Sequence, residues 1–165
     1  MPADNRRVPP HDMDAEQSVL GSMLVEPKAV IDAMETLRPE DFYVPGHRAI
    51  FEAMEALYAT NAPIDIVTVR NKLEQMGTLE RAGGMQYLGE LSRSMPTTSN
   101  VSNYISIVED RSVLRGVISA GSDMVNTAFE GKNSAEKVVN EAHDAIFSLA
   151  TRRRTDSLMQ IKPTL

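Results

Sequence analysis

The sequence predicts an all-α chain, with a compact multi-helix head over residues 13–98 followed by a long antiparallel helical hairpin over 99–151. Three observations carry that reading. Apolar residues recur at three- and four-residue intervals in one segment after another, which is the repeat of a single helical face. Residues that start or stop helices stand between those segments, at Pro9-Pro10, Pro27, Pro63, Gly77, Gly131 and Ser134. From Ser99 or Asn100 the apolar positions then continue for about thirty residues without a proline, which no short head helix requires.

Residues 1–12 read as a flexible N-terminal arm, since Pro9 and Pro10 oppose helix before them. Asp12 or Asp14 can cap the first helix, whose apolar positions are Ala15, Val19, Leu20, Met23 and Leu24. Glu26-Pro27 breaks it, and Pro27 suits the first turn of a second helix carrying Val30, Ile31, Met34 and Leu37. A tight turn at Pro39 leads through Asp41-Phe42-Tyr43 to Val44-Pro45-Gly46, which opens a third helix with the stripe Ile50, Phe51, Met54 and Leu57. Asn61-Ala62-Pro63 ends it.

The segment Ile64–Val69 is β-branched enough to suggest a strand. Asp65, however, can cap a helix in which Val69 and Leu73 follow at four-residue spacing and Gly77 supplies the stop, so helix is the reading adopted. Leu79–Gly84 reads as a loop, with brief extended pairing as its alternative, and Gly83-Gly84 permits backbone angles or close approaches closed to other residues. Met85, Tyr87, Leu88 and Leu91 form a short helix stopped by Met95-Pro96. The first hairpin helix carries Val101, Ile105, Val108, Val113, Val117, Met124, Val125 and Phe129. At the α-helical rise it would be roughly 45 Å long, too long to be wrapped by so small a core. Gly131-Lys132-Asn133 makes the turn, and Ser134 caps a second helix bearing Val138, Val139, Ala142, Ile146 and Leu149. Arg152-Arg153-Arg154 opens a linker over 152–165, in which Leu158-Met159-Gln160-Ile161 begins another helix.

Composition narrows the chemistry. Seventeen basic against twenty-three acidic side chains give a formal net charge of −6, so the surface as a whole repels phosphate backbones and direct DNA binding is disfavoured. The chain has no cysteine, which removes thiol catalysis, disulfides and thiolate metal sites and is compatible with a reducing cytoplasm, the expected location. No stretch has the apolar length of a membrane span, and the opening residues lack the apolar core of a secretory signal.

Candidate sites are few. His11, His47 and His143 show no ligand spacing, so no metal is expected. Asp41 and His47 could form an acid/base pair, but no nucleophile or oxyanion motif accompanies them, and both are assigned to loop geometry and helix capping. Met23, Met34 and Met54 share stripes with core residues and read as core, whereas Met124 lies on the distal half of the hairpin. Gly131-Lys132 is followed by Asn133 and lacks the earlier glycine of a phosphate-binding loop, so it reads as a turn. The tri-arginine run reads as a solvated segment. The hairpin is the strongest candidate surface. Two helices bury one stripe each against one another, yet Val113 with Leu114, Val117 with Ile118, and Val138 with Val139 occupy more than one face. With Met124 and Ile146 they leave apolar area that needs a partner, the alternative for each being packing inside the hairpin.

The opening Pro9-Pro10-His11, followed by Ala15-Glu16-Gln17-Ser18-Val19-Leu20-Gly21 and Leu24, resembles the amino-terminal domain of the bacterial replicative hexameric DNA helicase, the DnaB family. The likeness continues through Asp41-Phe42-Tyr43 with His47-Arg48 and Ile50-Phe51, Pro63-Ile64-Asp65 with Thr68, Gly83-Gly84 with Tyr87-Leu88 and Glu90-Leu91, and Pro96–Val101 with Tyr104, Ile107-Val108 and Arg111. The resemblance implies a non-catalytic collar whose domains pair through their hairpins as a trimer of dimers in a hexamer, above a ring of RecA-like motor domains absent from this chain. It implies that the collar receives primase and that a helicase loader is a further partner. It also implies that ATP, magnesium and most DNA contacts belong to the motor, and that the final residues begin a linker toward it. On this reading one part of the hairpin supports subunit pairing and another forms a groove for a primase helix, with Ile118, Met124 and Val138 facing partners. Two alternatives remain: the helicase-binding domain of primase, disfavoured because no primase catalytic region precedes the opening motif, and a small hydrolase using Asp41, His47 or Glu52.

Overall fold

The computed structural model describes residues 7–94 and 100–160, the last eight of these by their backbone. Among them the chain forms seven α-helices and one 3-10 turn, with no strand. The helices are α1 Met13–Val25, α2 Pro27–Thr36, α3 Pro45–Ala59, α4 Ile66–Met76, α5 Gly84–Arg93, α6 Val101–Glu130 and α7 Ala135–Gln160, with the 3-10 turn at Pro39–Asp41. The expected stop at Met95-Pro96, the junction at 98/99, the first six residues of the arm and the last five of the tail lie outside the described residues.

Helix ends follow local chemistry. Asp12, extended at φ −139°, accepts the Ala15 N–H at 2.9 Å, which makes it the cap of α1 and leaves Asp14 in the first turn. There its charge still opposes the helix dipole favourably. Asp65 accepts the Thr68 N–H and Thr68 Oγ1 accepts the Asp65 N–H, both at 2.9 Å. This reciprocal box starts α4 despite its β-branched opening, and left-handed Gly77 ends it at φ 72°. Pro27 and Pro45 each occupy the first turn of a helix.

The chain divides into two compact units, Met1–Ser112 and Val113–Leu165. The division expected at 98/99 therefore falls inside α6 instead. The reason is packing: Ile105 and Val108 are buried in the core of the first unit, and the Ser112 hydroxyl donates to Asp41 Oδ1 at 2.6 Å.

The core of the first unit is built by Val19, Leu20 and Met23 of α1, Ile50, Phe51 and Met54 of α3, Val69 and Leu73 of α4, Leu88 and Leu91 of α5, and the opening of α6. Phe42, delivered by the 3-10 turn, meets Phe51 with ring centroids 5.0 Å apart. Met23 and Met54 are buried and Met34 packs against the cluster, as their stripes suggest. On α2 the buried positions are Ala29, Val30 and Ala33, while Ile31 is exposed, because small side chains let this helix lie close to α1. Two glycines permit close approach: a Cβ at Gly46 would stand 2.7 Å from the Arg81 carbonyl oxygen, and one at Gly83 (φ +97°) 2.7 Å from Tyr87 Cβ.

In the second unit, Gly131 turns with φ 64° and Ser134 Oγ accepts the Lys137 N–H at 3.2 Å, starting α7. A Cβ at Gly116 would lie 2.8 Å from Leu149, and Met124 and Val138 share one groove toward the turn, so the two helices run antiparallel. The linker expected from Arg152 is replaced by helix, since α7 continues through Gln160. Between Ser134 and Pro163 there is neither glycine nor proline to stop it.

Candidate functional site

Two constellations stand out, one in each unit. In the first unit a chain of polar groups crosses the core. Glu16 and His47 are each 1% exposed. Glu16 accepts the Tyr43 N–H at 2.9 Å and the Val44 N–H at 3.3 Å, tying α1 to the N-terminus of α3. Its Oε1 lies 2.8 Å from His47 Nδ1, and His47 Nε2 lies 2.6 Å from the Tyr87 hydroxyl, which also accepts from Gln17 Nε2 at 3.1 Å. Burial pushes the Tyr87 phenol above its usual 10.0; the Gln17 hydrogen bond pulls it down, while the charges of Glu16 and Glu90 push it up. The phenol is therefore protonated at neutral pH. The network is satisfied when Nδ1–H donates to Glu16 and the Tyr87 O–H donates to Nε2. Its effect is to join α1, α3 and α5 by fixed links.

Asp41 and His47 do not form the acid/base pair considered from sequence. Asp41 Oδ2 accepts the Arg38 N–H at 2.8 Å and Oδ1 accepts from Ser112, while His47 points to Glu16 and Tyr87. Asp41 does serve loop geometry, closing the 3-10 turn, but His47 is a core link and not a cap. Glu52 is exposed on α3. His11 stacks on Tyr43 with centroids 4.1 Å apart, and His143 lies exposed beside Phe147, so the three histidines have separate surroundings. Sequence reasoning missed Glu16 and Tyr87 as network members. A signal existed: Glu16 precedes Leu20 and Met23 by four and seven residues, which places it on the buried face of α1.

The second unit reverses this pattern. No described residue from Val113 to Arg152 is buried. Of the positions expected to face partners, Leu114, Val117, Ile118, Val139 and Ile146 are exposed, and Val113, Met124 and Val138 are half-buried. Three more exposed apolar side chains were not singled out: Val125, Phe147 and Phe129, the last 88% exposed. Met124 and Val138 line a trough between α6 and α7, whereas Met124, Val139, Ile146 and Phe147 bound an adjoining apolar depression. The expected set therefore separates into distinct surfaces. Leu114, Ile118, Val125 and Phe129 follow one another at intervals of four, seven and four residues and form a single stripe on α6.

A helical head with a fixed polar link, followed by a helix pair that displays apolar faces, defines an all-α domain equipped for protein contact. Comparison with known proteins gives its family. The model for the DnaB-like helicase N terminal domain matches residues 8–110. The replicative DNA helicase DnaC of Bacillus subtilis is 36% identical over 161 residues, covering 98% of this chain and 36% of that protein. The replicative DNA helicase DnaB of Mycobacterium leprae is 37% identical over 164 residues, 98% of this chain and 27% of that protein. Among solved structures, the N-terminal domain of DnaB helicase from Mycobacterium tuberculosis superposes with a TM-score of 0.80 at 40% identity, covering 86% of this chain and 99% of that one. A DnaB-like replicative helicase, described together with its interactions with primase, gives a TM-score of 0.68 at 25% identity over 86% of this chain and 31% of that one. The chain belongs to the DnaB-like helicase N-terminal domain family. It spans about a third of the length of the curated relatives it matches. These relatives are helicases, which decides against the primase-domain alternative.

Proposed function

We propose that this chain is the non-catalytic collar of a replicative hexameric DNA helicase, assembling subunits through its helix pair and receiving primase at the replication fork. One observation carries the reading: from Val113 to Arg152 no described residue of the helix pair is buried, while large apolar side chains stand exposed along both helices. Soluble monomers rarely leave contiguous apolar area of this kind without a partner. The pairing is a dimer repeated three times in a hexamer, with Val113, Leu114, Val117, Ile118, Met124, Val138, Val139 and Ile146 supporting assembly or docking. In the complete helicase, ATP and magnesium serve a motor domain that also makes most of the DNA contacts, a loader is a further partner, and the whole acts in the cytoplasm. Weak contacts by single helix pairs gain strength when several copies are displayed together.

Light scattering across concentration, alone and with the carboxy-terminal domain of the cognate primase, tests the proposal. Concentration-dependent dimers or larger even assemblies that bind the primase domain are expected. A strict monomer indifferent to primase would overturn it.

A further inference from the structure

The polar chain of the first unit does not end inside the head. Tyr87, His47 and Gln17 form one side of an open depression of about 360 Å³, whose apolar walls are Met13, Val44 and Ala82 and whose mouth carries Arg81. Gly46 keeps Arg81 there, because a Cβ at position 46 would meet the Arg81 carbonyl oxygen at 2.7 Å and push that backbone off the start of α3. Among the described lining residues Arg81 is permanently charged and no carboxylate is present. The His47 and Tyr87 rings stand 9° from parallel with centroids 5.9 Å apart, which gives the depression a flat side.

Counting hydrogens gives this opening a use. While His47 is neutral, the Tyr87 O–H is spent on Nε2. Once His47 takes a proton, Nε2–H donates to the Tyr87 oxygen across the same 2.6 Å, Gln17 still donates to that oxygen, and the phenolic O–H turns about its C–O bond without an internal acceptor. Tyr87 lines the depression, so that donor is offered to whatever sits there. Burial keeps the phenol protonated, and its hydrogen is there to give. One guanidinium forks onto the two oxygens of a carboxylate, and the apolar walls accept the body behind it, whereas a phosphate dianion calls for more donors than the lining supplies.

We propose that the depression binds a small carboxylate with a planar apolar body, and that binding draws a proton from solvent onto His47 Nε2 as the Tyr87 O–H swings to the ligand. The groups around His47 are Glu16 on α1, Tyr87 on α5, Glu90 on α5 through its charge on Tyr87, and Arg81 in the turn before α5. Arg81 repels an imidazolium, and a carboxylate seated on Arg81 offsets that repulsion, so ligand and proton favour each other. The site lies wholly within the head and stands apart from the assembly-and-docking reading.

Benzoate is the probe and benzamide its neutral control, each titrated into the full chain and followed by the amide resonances of Ala82 and Gly83. At about pH 6 benzoate should bind at least about tenfold more tightly than benzamide, and its affinity should fall at least about fivefold by about pH 8. The His47 ring carbons should move toward the imidazolium position as benzoate is added, and calorimetry in buffers of different ionisation heat should show net proton uptake. Arg81→Gln, at an exposed position, should weaken benzoate at least about fivefold and leave the melting temperature unchanged. A short peptide ending in phenylalanine, with its terminus free, separates two sources of the carboxylate: binding tighter than benzoate assigns the site to the end of a protein chain, and weaker binding to a free acid. Equal binding of benzoate and benzamide, an affinity unchanged with pH, unmoved His47 resonances, or full binding by Arg81→Gln would overturn the inference.

Discussion

Helix α6 belongs to both units, and its two parts meet different fates. Before the division Ile105 and Val108 are buried in the head. Beyond it, Leu114, Val117, Ile118, Val125 and Phe129 are exposed, although their spacing is no less regular. The same helical periodicity thus serves a core in one stretch and a displayed surface in the next. What differs is the number of neighbours. In the head, α1, α3, α4 and α5 close around one another, whereas among the described residues of the second unit α7 alone accompanies α6. Two helices cannot enclose a side chain on all sides, so their apolar faces remain available.

Substitutions should break that comparison in graded steps. The largest loss of folding stability is expected in the head core, where Phe51→Ala removes a fully buried ring against Phe42 and should cost about 3–5 kcal/mol in denaturant unfolding. Next comes Glu16→Ala, which strands the Tyr43 and Val44 N–H groups and His47 in the core. About 3 kcal/mol is expected from those orphaned donors, with little change in helix content.

Asp65→Ala removes a capping box on an otherwise exposed helix start and should cost about 1 kcal/mol. A pH titration of stability sharpens the role of Tyr87. Because its folded pKa is raised, the folded chain holds the phenolic proton more tightly than the unfolded one. That contribution is complete below the ordinary value of 10.0 and is lost as pH rises through the folded value. Stability should therefore fall in alkali, and Tyr87→Phe should remove that part of the decline. The smallest folding effect is expected in the second unit. Ile118→Asp should change stability by no more than about 0.5 kcal/mol while reducing the mass seen by light scattering. A loss there as large as that of Phe51→Ala would show the comparison to be wrong, because Ile118 would then be core.

Much of this architecture was legible because helix limits are local. Asp65 with Thr68, Gly77 and Ser134 act through hydrogen bonds and backbone angles within a few residues, so their effect is readable from short words of sequence. The β-branched stretch Ile64–Val69 could be assigned to helix for the same reason. Capping also explains the remaining ambiguity at α1: Asp12 and Asp14 offer the same chemistry, and only the extended backbone at Asp12 selects it. The end of α7 was misplaced because three arginines suggest solvent but do not break a helix.

The candidate sites were less legible. The set chosen on the helix pair does not lie on one face: Met124 and Val138 sit in a trough while Leu114 and Ile118 sit on a stripe, a separation set by how two helices are rotated about their axes. The polar link is a sharper case, since Glu16, His47 and Tyr87 lie 31 and 40 residues apart in successive steps. The position of Glu16 on the buried face of α1 could be read from its spacing, but no short word of sequence shows that His47 and Tyr87 meet it there.

Caps, breakers and apolar period were thus enough to determine an all-helical chain and nearly all of its helix starts, because these depend on interactions over three or four residues. Tertiary packing alone decided that the first unit extends into α6, that a glutamate and a histidine are buried together, and that one apolar stripe is enclosed while another is displayed. Those outcomes depend on which distant elements arrive beside a given face, and burial is a property of the whole neighbourhood and not of the residue.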